Sequence, residues 1–133
     1  MYTAYIDGAS RGNPGPSGIG VVIYKDNTPM VEISKYIGIQ TNNIAEYSAL
    51  LELLDNLIDR NILKIKAYSD SELIVNQING NYKVRNMKLI KLYNEAKLKI
   101  NKLEYFKFSH VKRESNSHAD KLANIAIDKK GKI

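Results

Sequence analysis

The most constraining feature of this 133-residue chain is a change of pattern at Thr41. Before it, short β-branched and aromatic runs are separated by turn residues; after it, apolar side chains recur at helical spacing. Residues 2–7 (YTAYID) read as a strand ending at an acid, and residues 8–18 (GASRGNPGPSG) as turn chemistry, since Gly supplies positive φ and Pro fixes it. Strands are predicted at about 19–25 and 30–38, joined by the turn signal Asp26-Asn27-Thr28-Pro29, which makes an antiparallel meander. From Thr41 to Arg60, Ser48, Glu52, Asp55, Asn56 and Asp59 form one polar helical face, and leucines and Ile58 fill the rest. Residues 63–70 form another strand ending at an acid, Asp70. Helices follow from Ser71 to near Gly80, from Met87 to Lys102 and from Asn116 to Lys129, with a last strand at 104–111.

This order, β-β-β-α-β-α-α-β-α, implies a mixed α/β fold: a five-stranded mixed sheet flanked by helices, in one domain over 1–133. The helix between the third and fourth strands is long enough to make the first and fourth parallel. Asp7 and Asp70, each the last residue of its predicted strand, then share one end of the sheet, where open α/β sheets bind ligands.

Two of the remaining acids stand out by position. Glu46 avoids the polar face of its helix and sides with Leu50, Leu53 and Leu57. A carboxylate there must be hydrogen-bonded, paired or metal-bound, or else serve as a helix-start acid favoured by the dipole. Asp120 borders the stripe Ala119, Ala123 and Ala126, with Asn116 one turn earlier. Four carboxylates in one place repel unless some are protonated or cations neutralise them. Oxygen ligands without Cys or His spacing favour Mg²⁺ or Mn²⁺ over Zn²⁺, and two such ions suit in-line phosphoryl displacement.

Charge supports a polyanionic partner. Residues 1–82 hold six Lys/Arg and nine Asp/Glu, whereas residues 83–133 hold fourteen and five. The excess runs through Lys83, Arg85, Lys88, Lys91, Lys97, Lys99, Lys102, Lys107, Lys112 and Arg113. It fits a basic half that holds a phosphodiester, and equally a solvated lysine-rich surface. Zero Cys excludes disulfides and thiolate metal sites and fits a reducing compartment. The first residues lack a basic region followed by an apolar stretch, and no apolar run approaches the roughly 18 residues of a membrane span. A cytoplasmic location is therefore expected.

Four ordered motifs resemble the ribonuclease HI family, within the ribonuclease H-like superfamily. They are Tyr5 to Gly20 (YIDGASRGNPGPSGIG), Thr41 to Glu46 (TNNIAE), Ser69 to Leu73 (SDSEL) and Asn116 to Ala123 (NSHADKLA), together spanning nearly the whole chain. The resemblance implies a ribonuclease H-like fold and hydrolysis of the RNA strand of RNA/DNA hybrids, leaving 5′-phosphate and 3′-hydroxyl ends. It implies two Mg²⁺ ions, with Mn²⁺ a possible substitute. Asp7 would bridge both, Asp120 would help hold the ion that activates water, and Glu46 and Asp70 the ion at the leaving oxygen.

By the same resemblance Asn13, Asn43, Glu46 and Glu72 would read the RNA 2′-hydroxyl, with Gly8 and Asn42 also at the substrate. Thr41 and Asn86 would grip a DNA-strand phosphate. Two departures stand out. The family's loop His has no counterpart; Glu114 occupies its place as a catalytic candidate, while His110 and His118 read as structural. Residues 80–103 are too short for the extra basic helix of some members, leaving Tyr82, Lys83, Arg85, Lys88 and Lys91 as a reduced substitute. No obligate protein partner and a monomeric state are expected. The alternatives are a related nuclease acting on DNA or RNA duplex, and a non-catalytic hybrid-binding module. A dinucleotide loop is rejected because Gly18 to Ile23 reads as strand rather than as the start of a helix, and no Walker A sequence is present.

Overall fold

The computed structural model describes residues 1–130. Its elements follow the expected order: β1 (Tyr2–Ser10), β2 (Gly15–Lys25), β3 (Thr28–Gln40), α1 (Asn42–Asp59), β4 (Lys64–Ser69), α2 (Glu72–Ile78), α3 (Met87–Ile100), β5 (Tyr105–His110) and α4 (Ser117–Lys130). A 3-10 turn (Arg113–Asn116) precedes α4, so Asn116 lies before that helix rather than in it. The sheet runs β3-β2-β1-β4-β5, with β1–β2 and β2–β3 antiparallel and β1–β4 and β4–β5 parallel.

The meander is longer than its sequence suggests. β1 continues three residues beyond Asp7, β2 starts at Gly15, and the turn shrinks to residues 11–14. The glycines of this stretch mislead because, apart from Gly12 (φ 107°), they serve close packing rather than turning. At Gly20 an added Cβ would lie 2.1 Å from the Ala119 carbonyl oxygen, so α4 rests directly on the β2 backbone. The β2–β3 turn is tighter than drawn from sequence, with Asp26 and Asn27 both at positive φ (50° and 70°), a geometry that matches the twist of the paired strands.

Asp7 is consequently not a strand-terminal residue: it pairs with Gly20 of β2. Its expected neighbour survives this correction for a different reason. The parallel β1–β4 register ends at Ile6↔Ser69, so Asp7 and Asp70 are the next residues on each side and remain level.

One face of the sheet carries Ala4, Ile6, Ile65 and Ala67 against the leucines of α1. Helix α1 starts at Thr41, whose Oγ1 accepts from Ile44 N at 3.3 Å, and it buries Leu50, Leu53, Leu54 and Leu57 fully. Each such leucine contributes about 1.5–3 kcal/mol by leaving water. Tyr47, also fully buried, donates its hydroxyl to Gln77 Oε1 at 2.7 Å and so leaves no orphaned polar group. Helix α3 packs on α1 through Leu89 and Ala96, with Leu92, Tyr93 and Ile100 at the margin. On the opposite face α4 covers β1, β2 and β3. Among the described residues no helix is long and apolar enough to cross a membrane.

Candidate active site

The site begins with an unusually close approach of α1 to β1. A Cβ at Gly8 would fall 2.2 Å from the Ala45 carbonyl carbon, so only glycine admits the helix start at this height. That approach lets Gly8 N donate to Glu46 Oε1 at 2.7 Å. It accounts for an acid among leucines: Glu46, 6% exposed, is hydrogen-bonded at the sheet end rather than stranded in the core.

Asp7 lies beside it, 5% exposed, and Asp70 follows the last residue of β4. One carboxylate oxygen from each of Asp7, Glu46 and Asp70 lies within 4.8 Å of the others. Asp120, in the first turn of α4, completes the group from the opposite face and is near enough to share a hydrogen bond with Asp7. Asp120 Oδ1 accepts from Asn124 Nδ2 at 3.3 Å, and Asn124 Oδ1 accepts from Arg11 at 3.2 Å. Arg11 is anchored in turn on Asp128 at 2.6 Å.

Crowding these groups is electrostatically costly. Burial, then Glu46, Asp70 and Asp120, push the Asp7 carboxyl up to about 9. Burial likewise raises Glu46 to about 8, opposed by the Gly8 N–H and by the Arg113 guanidinium. Left to itself the cluster holds protons at neutral pH; a divalent cation bound there would displace them. A buried, oxygen-only, acid-rich donor set is what hard divalent ions require, so these residues fit such a group.

The four acids line a cavity of about 500 Å³, together with Gly8, Asn42, Glu72 and Arg113. The other expected substrate residues assemble elsewhere. Asn13, Thr41, Asn43 and Asn86 line a second groove of about 510 Å³ with Lys88. It lies where α1 and α3 both begin: Thr41 caps one helix, and Asn86 Oδ1 accepts from Lys88 N at 2.9 Å and Leu89 N at 3.2 Å in the other. Asn13 joins this edge by accepting from Asn42 N at 3.0 Å. Since Asn42 lines the first cavity and its neighbours Thr41 and Asn43 the second, the start of α1 is the wall between them.

Glu114 is exposed on the 3-10 turn and is not among the residues lining either cavity; its neighbour Arg113 lines the first. His118 faces Tyr24 OH (2.9 Å) and Glu32 (2.8 Å), the structural role expected of it. His110 is exposed at the end of β5 and lines neither cavity. The basic residues also divide. Lys88 borders the second groove, Lys83 and Arg85 a neighbouring cavity, Lys97 donates to the Ile78 carbonyl at 3.1 Å, and Lys99 pairs with Asp55. Sequence reasoning missed Arg11, Asn124 and Arg113 as site residues. The signals for the first two, Arg within the Gly-rich segment and Asn one turn after Asp120, acquire meaning only once α4 rests on the meander.

Comparison with known proteins gives a consistent picture. The family described as reverse transcriptase-like matches residues 5–126. A bifunctional protein of Mycobacterium tuberculosis is 39% identical over 124 residues, covering 92% of this chain; the chain spans only 34% of that relative's length. The crystal structure of ribonuclease H1 from the halophilic archaeon Halobacterium salinarum superposes with a TM-score of 0.93 at 36% identity, covering 96% of this chain and 98% of that one. A ribonuclease H1 designated LC11, crystallised with an RNA/DNA hybrid, superposes with a TM-score of 0.91 at 41% identity, covering 97% and 98%.

Proposed function

Because the chain belongs to the ribonuclease H family, we propose that it is an endoribonuclease hydrolysing the RNA strand of RNA/DNA hybrids. The observation that carries this reading is the buried carboxylate cluster of Asp7, Glu46 and Asp70, with Asp120 facing it, at the mouth of a cavity. In this reading all four would hold two Mg²⁺ ions, which Mn²⁺ could replace. When bound, such ions neutralise the carboxylates, polarise the attacking water and stabilise the leaving 3′ oxygen.

The chain's own groups do the rest. The Gly8 N–H fixes one Glu46 oxygen, leaving the other for ligation. Arg11 and Asn124 orient Asp120, in the way that outer partners orient ligands in metal sites. Arg113 supplies positive charge at the cavity wall. Glu114, exposed on the adjoining turn, would take the part of the family's loop His. No covalent intermediate is required, so the lack of a Ser–His or Cys–His pair is immaterial. Products carry 5′-phosphate and 3′-hydroxyl ends.

The two-cavity arrangement supports hybrid selectivity. The RNA strand lies over the carboxylates, with Gly8, Asn42 and Glu72 against it and Asn13 and Asn43 across the α1 wall reading 2′-hydroxyls. The DNA strand lies over the second groove, where Thr41, Asn86 and two helix starts offer donors to a phosphate. The same reading takes residues 1–133 as one catalytic domain acting as a monomer in the cytoplasm. The test uses end-labelled hybrid, RNA duplex, single-stranded RNA and DNA duplex with Mg²⁺, Mn²⁺ or chelator. Metal-dependent cutting confined to the RNA of the hybrid, lost in Asp7→Asn, is the expected result. Hybrid bound but uncut under either metal leaves a binding module, and cutting of DNA duplex leaves a DNA nuclease.

A further inference from the structure

Helix α4 covers its face of the sheet over β1, β2 and β3, leaving β4 and β5 open there. The strand registers order what this face displays. Tyr24, Thr3, Lys66 and Lys107 fall in one cross-strand row, and Val22, Tyr5, Tyr68 and Ser109 in the next. Tyr5 and Tyr68 stack with centroids 5.0 Å apart and planes 25° from parallel; Tyr24 meets Tyr5 edge-on at 5.9 Å. These three rings line a cavity of about 370 Å³ with Asn27, Asn116 and His118, within the size range of small-molecule sites.

Two properties narrow the occupant. Every side chain lining the cavity carries a hydroxyl, amide or imidazole, so an aliphatic peptide anchor finds no apolar socket. Asn116 is 1% exposed; its Nδ2 donates to the Ile6 carbonyl at 2.8 Å, and its Oδ1, equally buried, has no partner among the described residues. Beside the rings, Lys66 and Lys107 sit next to one another in the row and make no ion pair among the described residues. Planar rings and adjacent ammonium groups together match a nucleotide: a base to stack and a phosphate to neutralise.

Position adds a direction. Tyr5 and Tyr68 stand two residues before Asp7 and Asp70 on parallel strands, about 7 Å down the sheet from the carboxylates. We infer that this open face binds single-stranded nucleic acid running off the duplex, with one base added to the Tyr5–Tyr68 stack and its phosphates along Lys66 and Lys107. The inference rests on the carboxylate site being a nucleic-acid site; none of these residues belongs to either cavity assigned to the hybrid.

The test is fluorescence anisotropy in chelator with labelled oligo-dT and oligo-rU of about 15 nucleotides, a blunt hybrid, and the same hybrid with a single-stranded extension. Variants are Lys66→Glu with Lys107→Glu, Tyr68→Leu and Tyr68→Phe. The wild type should bind the single strands and bind the extended hybrid more tightly than the blunt one. The charge reversal and Tyr68→Leu should each weaken single-strand binding about tenfold and abolish the benefit of the extension. Tyr68→Phe should keep both, and all variants should bind the blunt hybrid within about twofold of wild type. A wild type indifferent to single strands, or equal losses on blunt and extended hybrids, overturns the inference. If Tyr68→Leu fails to fold, the surface charge reversal decides alone. Should the wild type bind single strands through these residues but not the blunt hybrid, the hybrid reading falls and this one stands. The oligo-dT and oligo-rU arms show whether the face prefers DNA or RNA.

Discussion

Asp7 is the residue on which stability and activity pull in opposite directions. Its carboxyl is raised from 3.8 to about 9 by burial and by its acidic neighbours, so the folded state binds a proton that the unfolded state has released. Between those two values the unfolded chain holds fewer protons, and stability falls as pH rises through the window. In chelator, the thermal midpoint should therefore decline from about pH 5 to pH 9, and Mg²⁺ should reverse most of the decline at the upper end. Asp7→Asn keeps the shape and removes the charge. It should be more stable than wild type at pH 8 in chelator, by about 1–3 kcal/mol of unfolding free energy, while losing hybrid cleavage. A variant no more stable than wild type at that pH, or a flat wild-type profile, would remove the electrostatic account of the cluster. Glu46 was legible in sequence because a lone acid on a leucine face has few explanations. Arg113 was not, because its relevance comes from a turn that folds back over the site.

At the scale of elements, the sequence carried the order and types of strands and helices but not their lengths. The stretch after Asp7 reads as a turn because glycine is ambiguous between positive φ and close packing, and a single sequence does not distinguish the two. The structure assigns Gly20 to the second use, and this has a mechanical consequence. Gly20→Ala would drive a Cβ to 2.1 Å from the Ala119 carbonyl, one residue before Asp120, so α4 must back away and take that acid with it. The expected cost is about 1–3 kcal/mol in urea unfolding, with a fall in hybrid cleavage at unchanged hybrid affinity. An unaltered midpoint would mean that α4 is not seated on β2 as described. Thr41 makes a gentler case: losing the Oγ1 cap in Thr41→Ala should cost about 1 kcal/mol, and Thr41→Ser should restore it. Equal stability of all three proteins by calorimetry would show that another group caps α1.

For the whole molecule, the question is how a reduced basic surface holds a duplex. The chain is acidic in its first 82 residues and basic in the rest, yet the fold does not gather that excess into one patch. Lys97 and Lys99 hold other elements together, Lys107 faces the open sheet, and Lys88 borders the groove between the α1 and α3 starts. The basic residues are thus spread over several surfaces rather than concentrated on the hybrid, and its affinity should be weak and only modestly salt-dependent. In the proposed reading the α1 wall would make the two cavities grip the strands separately, one for chemistry and one for position. A change in the second should act on binding alone. Lys88→Gln removes a charge beside the Asn86 cap without touching its Oδ1, which receives the backbone N–H of residue 88. It should raise KM for the hybrid about three- to tenfold, leave kcat unchanged and lower the salt slope by about one. The measurement is steady-state cleavage across a salt series. A fall in kcat with KM intact would place Lys88 in the chemistry and collapse the two-cavity division. An unchanged KM would instead mean that the DNA strand lies elsewhere, with the open tyrosine-lysine face the next surface to probe.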